Sequence, residues 1–141
     1  MSVEENKAIV RSIVERAWNQ GDLTVIDERV TQRYVGHAGD QTVEGRAHWK
    51  RQVIAFRHAF PDLVTTVEDQ IAEGDTVVTR WSARGTHEGE FQGIPPTGRS
   101  VTMTGINIDR IVSGQLIERW ATFDRLGMMQ QLGVLPMPGD G

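Results

Sequence analysis

The chain contains no cysteine. That excludes disulfides, thiolate metal ligands and a cysteine nucleophile together. Aromatic residues are scarce at 6%, with one tyrosine and as many tryptophans as phenylalanines, so each large ring is a candidate for a defined packing or binding role. No apolar run approaches the ~20 residues of a membrane-crossing helix. The opening Met1–Lys7 is polar, without the apolar core of an export signal, and the expectation is a cytoplasmic protein with no membrane partner. Positive charge is not in excess either. Fifteen Lys and Arg against nineteen Asp and Glu give a net charge of −4, and no basic cluster occurs, which argues against nucleic acid as a partner.

What is present is an ordinary globular composition, 38% hydrophobic and 24% charged over 141 residues. One domain is expected over 1–135, able to bury roughly two-thirds of its extended surface, followed by a mobile Pro/Gly tail over 136–141. Ser2 and Glu5 fit a capping box ahead of a helix whose stripe is Ile9, Val10, Ile13, Val14, Ala17 and Trp18. Gly21 ends it, and Asp22 caps a short second helix. Tyr34–His37 reads as a turn or short strand. Arg46–Phe60 is a third helix with Trp49, Val53, Phe56 and Phe60 at helical spacing, stopped by Pro61. Leu63–Ala72 and Thr76–Gly85 read as strands, His87–Arg99 as a Gly/Pro-rich loop, and Arg125–Leu132 as a short helix. Helices first and four long antiparallel strands afterwards make an α+β fold: a curved antiparallel sheet with three helices packed into its concavity around a pocket.

The last third is the most informative stretch. Val101–Val112 and Gln115–Asp124 form a hairpin around Ser113-Gly114. With Val112 facing Gln115, Asn107 falls opposite Trp120 and Met103 opposite Asp124. Strand alternation then puts Trp120, Thr122 and Asp124 on one face with Asn107 and Met103. A carboxylate beside an indole and a thioether is a candidate general acid or base; the alternative is an Asp that caps the following helix.

Several segments together resemble the SnoaL-like polyketide cyclases of the nuclear-transport-factor-2-like superfamily. They are Arg33–His37, Ala59–Leu63, Gly74–Trp81, Gly85–Gly93, and Trp120–Asp124 running into Gly127–Gly133. The resemblance implies a cone-shaped α+β barrel, a homodimer formed through the outer face of the sheet, and a pocket for a small hydrophobic, aromatic, polyketide-like ligand. It also implies no cofactor. Family cyclases close a ring by intramolecular aldol condensation. Asp124 matches the position of their acid/base residue, and His37 matches a histidine that lines their pocket. Epoxide hydrolases of this fold use an Asp-Arg-Asp trio, and Thr122 stands where one of those acids would align. The superfamily also contains isomerases, dehydratases, hydroxylating enzymes and binding proteins, so fold does not settle the reaction.

The candidate catalytic residues are therefore Asp124 and His37. Candidate ligand contacts are Trp120 and Asn107 on the hairpin, Tyr34, Trp49 on the third helix, Met103, and Trp81, taken as the inward member of the Arg80-Trp81 pair. His87 is a further candidate ligand contact, expected at the rim of the Gly/Pro loop; on the third helix His58 is expected at the surface, and His48 is not taken as a site residue. The four histidines include no His-x-His or His-x-x-x-His pair, so no metal site is expected.

Overall fold

A computed structural model describes residues 2–136; apart from Pro136, the tail expected to be mobile lies outside them. The capping box forms, with the Ser2 hydroxyl accepting from the Glu5 amide at 3.1 Å and the Glu5 carboxylate accepting from the Ser2 amide at 3.3 Å. Helix α1 (Val3–Ile13) follows and buries Ile9, Val10 and Ile13. Its continuation, Val14–Asn19, widens into a π-helical segment, a geometry common at functional sites. Gly21, at φ +74°, turns the chain into α2 (Thr24–Arg29), which buries Val25 and Ile26. Helix α3 (Arg46–Ala59) buries Trp49, Val53 and Ala59, and α4 (Arg125–Leu132) closes the described chain. No helix of the described residues is long and apolar enough to cross a membrane.

Six strands form one sheet: β1 (Val30–Ala38), β2 (Gln41–Glu44), β3 (Val64–Glu73), β4 (Thr76–Thr86), β5 (Ser100–Val112) and β6 (Gln115–Phe123). Their order is β2-β1-β6-β5-β4-β3. Two expectations need correction here. Of the turn and the short strand read for Tyr34–His37, the strand forms and is longer, nine residues, and it lies parallel to β6, so the sheet expected to be antiparallel is mixed. The long stretch between β1 and β6 supplies the crossover that a parallel pair requires. The strands β2 and β3 are unjoined edges, which leaves the cone open rather than closed as a barrel.

The hairpin turn forms at Ser113-Gly114, both with positive φ, and Val112 pairs with Gln115 as expected. The register then slips. Ile111 faces Leu116, but Arg110 faces Glu118, Asp109 faces Arg119, Asn107 faces Ala121 and Gly105 faces Phe123. Ile117 is the extra residue of a bulge, and a one-residue slip reverses the face of every side chain beyond it. Arg119, Ala121 and Phe123 point inward, whereas Trp120 and Thr122 point outward. The slip is favoured by charge, since it sets Asp109 against Arg119 and Arg110 against Glu118.

The apolar interior divides in two. One cluster joins α1, α2 and α3 to Val30, Tyr34, Val77, Ile111 and Leu116. The other joins Phe60, Leu63, Ala83, Phe91 and Met103 to Met128, Met129 and Leu132 of α4. Trp18 packs against both, and a cavity lies between them. One glycine shapes it. Trp81 and Gly105 pair across β4 and β5, and the indole lies over the glycine so closely that a Cβ there would collide with Trp81 Cζ2 and meet the Thr122 carbonyl at 2.6 Å. Gly105→Ala is expected to displace the indole and destabilise the fold by about 1–3 kcal/mol, measured as a lowered urea midpoint; an unchanged midpoint refutes that close approach.

Candidate active site

The cavity measures about 240 Å³ and is partly open. Its apolar walls are Val10, Val14 and Trp18 from the first helical arm, Phe56 of α3, Leu63, and Trp81, Ala83, Met103, Ala121 and Phe123 from the sheet. Phe56 meets Trp18 edge-on at 5.8 Å, and Phe91 from the Gly/Pro loop lies 5.1 Å from Phe56. The polar lining comprises Tyr34, His37, His48, Gln52, Thr65, Thr79, Asn107 and Arg119. No carboxylate is among the lining residues.

Arg119 is the fixed point. Its Nε donates to Asp109 Oδ1 at 2.6 Å and its Nη2 to Oδ2 at 3.0 Å, a two-bond fork that holds the guanidinium plane. Asp109 is fully buried and Arg119 is 9% exposed. The guanidinium carbon sits 4.1 Å from the centre of the Trp49 ring, within cation–π range. Burial opposes the charge on Arg119, but the Asp109 carboxylate outweighs it and holds the group above its ordinary value. Among the described residues Nη1 has no hydrogen-bond partner, which leaves its donors for the cavity that Arg119 lines.

Tyr34 stands beside this pair, its ring 5.2 Å from that of Trp49. A side chain at position 36 would meet the Tyr34 hydroxyl at 2.6 Å, so Gly36 makes the room the phenol needs. Burial pushes the hydroxyl up to about 12, Arg119 pulling it back and Asp109 adding to the rise; it is a proton donor throughout the neutral range. Asn107, with its amide oriented to satisfy both neighbours, accepts from Trp81 Nε1 at 3.3 Å and donates to the Ile106 carbonyl at 3.2 Å. Thr79 accepts from Gln70. His48 occupies the first turn of α3, one residue before Trp49, and its ring has no hydrogen-bond partner among the described residues. Burial, then the neighbouring Arg51, holds its pKa below the usual imidazole value.

Of the residues expected from sequence, Tyr34, Trp49, Trp81, Met103 and Asn107 come together in this lining. Four others do not deliver their side chains to it. Asp124 is exposed and caps α4, its Oδ1 accepting from the Gly127 amide at 2.9 Å; the bulge turned it from the inward face. For the same reason Trp120 lies outside, 40% exposed. His37 borders the cavity mouth, yet its ring stacks on Trp120 at 5.0 Å. Nε2 of that ring engages Glu118 Oε2 at 2.8 Å and Nδ1 the Thr42 hydroxyl at 3.4 Å. His87 is no rim residue but fully buried: Nδ1 accepts from the Thr97 amide at 3.2 Å, and Phe60 packs 5.5 Å away. The ring walls Phe56 and Phe123 were missed as site residues, and so were Arg119 and its support Asp109. The signal for that pair was present, because Asp109 with Arg119 and Arg110 with Glu118 both fit a register one residue along from the one the turn sets. Among the described residues, no group of three or more His, Asp or Glu is placed to hold a metal ion.

The chain forms an α+β cone around an aromatic-walled cavity, and the comparisons with known proteins agree on that fold. The family model "SnoaL-like polyketide cyclase" matches residues 8–132, and the chain belongs to that family. It is 28% identical over 129 residues to the aklanonic acid methyl ester cyclase DnrD of Streptomyces peucetius, covering 89% of this chain and 88% of that one. Among solved structures, AclR of Streptomyces galilaeus, a proposed hydroxylase, superposes with a TM-score of 0.88 at 33% identity, covering 98% of this chain and 87% of AclR. IdmH of Streptomyces antibioticus, a proposed polyketide cyclase, is 36% identical with a TM-score of 0.80, covering 91% of this chain and 98% of IdmH.

Removing one partner of a buried ion pair strands the other charge. Asp109→Asn is expected to cost about 3–5 kcal/mol in chemical denaturation, whereas Asp109→Leu with Arg119→Met recovers most of that loss. A double variant as unstable as the single one refutes this account of the pair.

Proposed function

We propose that this protein is a polyketide cyclase that closes a ring on a flat, oxygenated aromatic substrate by intramolecular aldol-type addition. The observation that carries the reading is Arg119: an immobilised donor set in a mostly aromatic and aliphatic wall. In aldol addition, a C–H flanked by two carbonyls loses its proton and negative charge collects on the carbonyl oxygen. The carbon then bonds to a ketone, whose oxygen becomes an alkoxide. Donors fixed where that charge develops stabilise the transition state without reorganising. Arg119 Nη1 and the Tyr34 hydroxyl are such donors. Trp49, Trp81, Phe56, Phe123 and Met103 offer faces and edges to planar rings, with part of a multi-ring ligand extending through the mouth. The reaction is redox-neutral, so the reading asks for no electron acceptor.

DnrD supports this reading through its name, which specifies ring closure on aklanonic acid methyl ester. The likeness to AclR favours a second reading, hydroxylation of the same ligand class. Mass spectrometry separates them, because cyclisation leaves the substrate's mass unchanged and hydroxylation adds an oxygen atom. The test is incubation of an anthraquinone methyl ester carrying a 1,3-dicarbonyl side chain. The expected product is an isomer, and Arg119→Met is expected to lose roughly 10²–10³-fold in turnover, the scale of one lost oxyanion donor. An oxygenated product, or wild-type turnover by Arg119→Met, overturns the reading.

Asp124→Ala supplies the contrast. It is expected to cost about 0.5–2 kcal/mol of stability, as loss of a helix cap does, and to leave turnover within a few-fold of wild type. Loss of turnover on the scale of Arg119→Met would return the acid/base role to Asp124.

A further inference from the structure

Four residues at the cavity can take up or release a proton: Tyr34, His48 and Arg119 in its wall and His37 at its mouth. Three are unsuited to accept one from carbon. Arg119 keeps its charge, held by Asp109, and Tyr34 keeps its proton, since burial raises it to about 12. His37 is committed to Glu118, Thr42 and the Trp120 ring on the outer side of the sheet. His48 remains, with no hydrogen-bond partner for its ring among the described residues. It leads the row His48, Gln52 and Phe56 that α3 turns to the cavity, four residues apart and so on one helical face.

We propose that His48 is the catalytic base of this cavity, taking the proton from the carbon between two substrate carbonyls and returning it to the alkoxide formed on ring closure. The step rests on the cyclase reading above and deepens it. The C–H electron pair passes into an enolate whose oxygen faces Arg119. That enolate forms the new C–C bond, the π electrons of the attacked ketone move to its oxygen, and the imidazolium then protonates that oxygen. No atom is gained or lost.

The surroundings of His48 favour its neutral form. Burial and Arg51 on its own helix disfavour the imidazolium, and the first turn of a helix carries a partial positive charge that does the same. The other titratable groups of the cavity are Arg119, with Asp109 behind it, and Tyr34 on β1, while His37 of the same strand turns its ring outward to Glu118. The base is therefore in its working form at neutral pH. Activity falls as pH drops and the ring protonates, with a midpoint below the ordinary ~6.5 of histidine.

The test uses the 1,3-dicarbonyl anthraquinone ester and an analogue that keeps the acidic C–H but lacks the ketone that receives the new bond. Hydrogen–deuterium exchange at that carbon is followed by NMR in D2O, binding by quenching of tryptophan fluorescence, and His58→Gln serves as control. Wild type and His58→Gln are expected to accelerate exchange, with a rate that falls at low pH. His48→Gln should bind the analogue, lose about 10²–10⁴-fold in exchange and turnover, and lose the low-pH limb. Wild-type exchange by His48→Gln, or an unchanged low-pH limb, overturns the assignment. So does weakened binding with unchanged exchange per bound molecule. If exchange depends on His48 but no cyclised product forms, the base assignment holds and the cyclase reading falls. If wild type accelerates neither process, both fall.

Discussion

A guanidinium can stand in the wall of an apolar cavity only if a carboxylate holds it from behind, and the two bonds between Arg119 and Asp109 do this. Much of the site's geometry follows from that pair. It spans the neighbouring strands β5 and β6, and it is reached only through the register shift after Ile111. The shift in turn decides that Ala121 and Phe123 line the cavity while Trp120 and Thr122 do not. Trp49 lies against the face of the guanidinium, which fixes how closely the third helix approaches the sheet. Buried ion pairs are seldom more stable than apolar residues of the same volume. The pair is thus better explained by the donors it presents than by stability.

The polarity of the cavity is lopsided. Arg119 and Tyr34 offer protons, Asn107 is occupied with Trp81 and the Ile106 carbonyl, and acceptors are few. An oxygen-rich planar ligand complements this inventory better than a basic one. Because Asp109 already balances the charge on Arg119, the wall offers hydrogen bonds with little net positive charge. Such a wall favours a transient oxyanion more than it retains a permanently anionic small molecule.

The sequence was legible wherever a single segment carries its own signal. The capping box at Ser2, the breaks at Gly21 and Pro61, the long strands and the Ser113-Gly114 turn all depend on neighbours in the chain, and all form as read. Hairpin register is different, because a bulge depends on what each strand meets across the gap. The turn alone implied one alignment. The Asp109–Arg119 and Arg110–Glu118 pairs impose another, and one extra residue moved Trp120 and Asp124 out of the site. Position 87 was misread for a related reason. Gly/Pro composition marks a loop, but whether a loop residue is covered depends on distant packing, here by Phe60. The parallel partner of β1 was equally hidden, since nothing within Val30–Ala38 names a strand near the other end of the chain.

That parallel pairing bears on how the molecule comes into being. The strand β6 sits between β1 and β5, and contacts such as His37 with Glu118 join residues 81 apart in sequence. A chain emerging from the ribosome has its helices long before it has the strand that bridges the two parts of the sheet. Until β6 is synthesised, β1 and β2 have no link to the rest of the sheet and the apolar faces of α1 and α3 lack part of their cover. Long-range closure of this kind slows folding and prolongs exposure to aggregation. Nascent chains arrested before Gln115 should therefore be the form most dependent on chaperones, and the cavity exists only once β6 has been made.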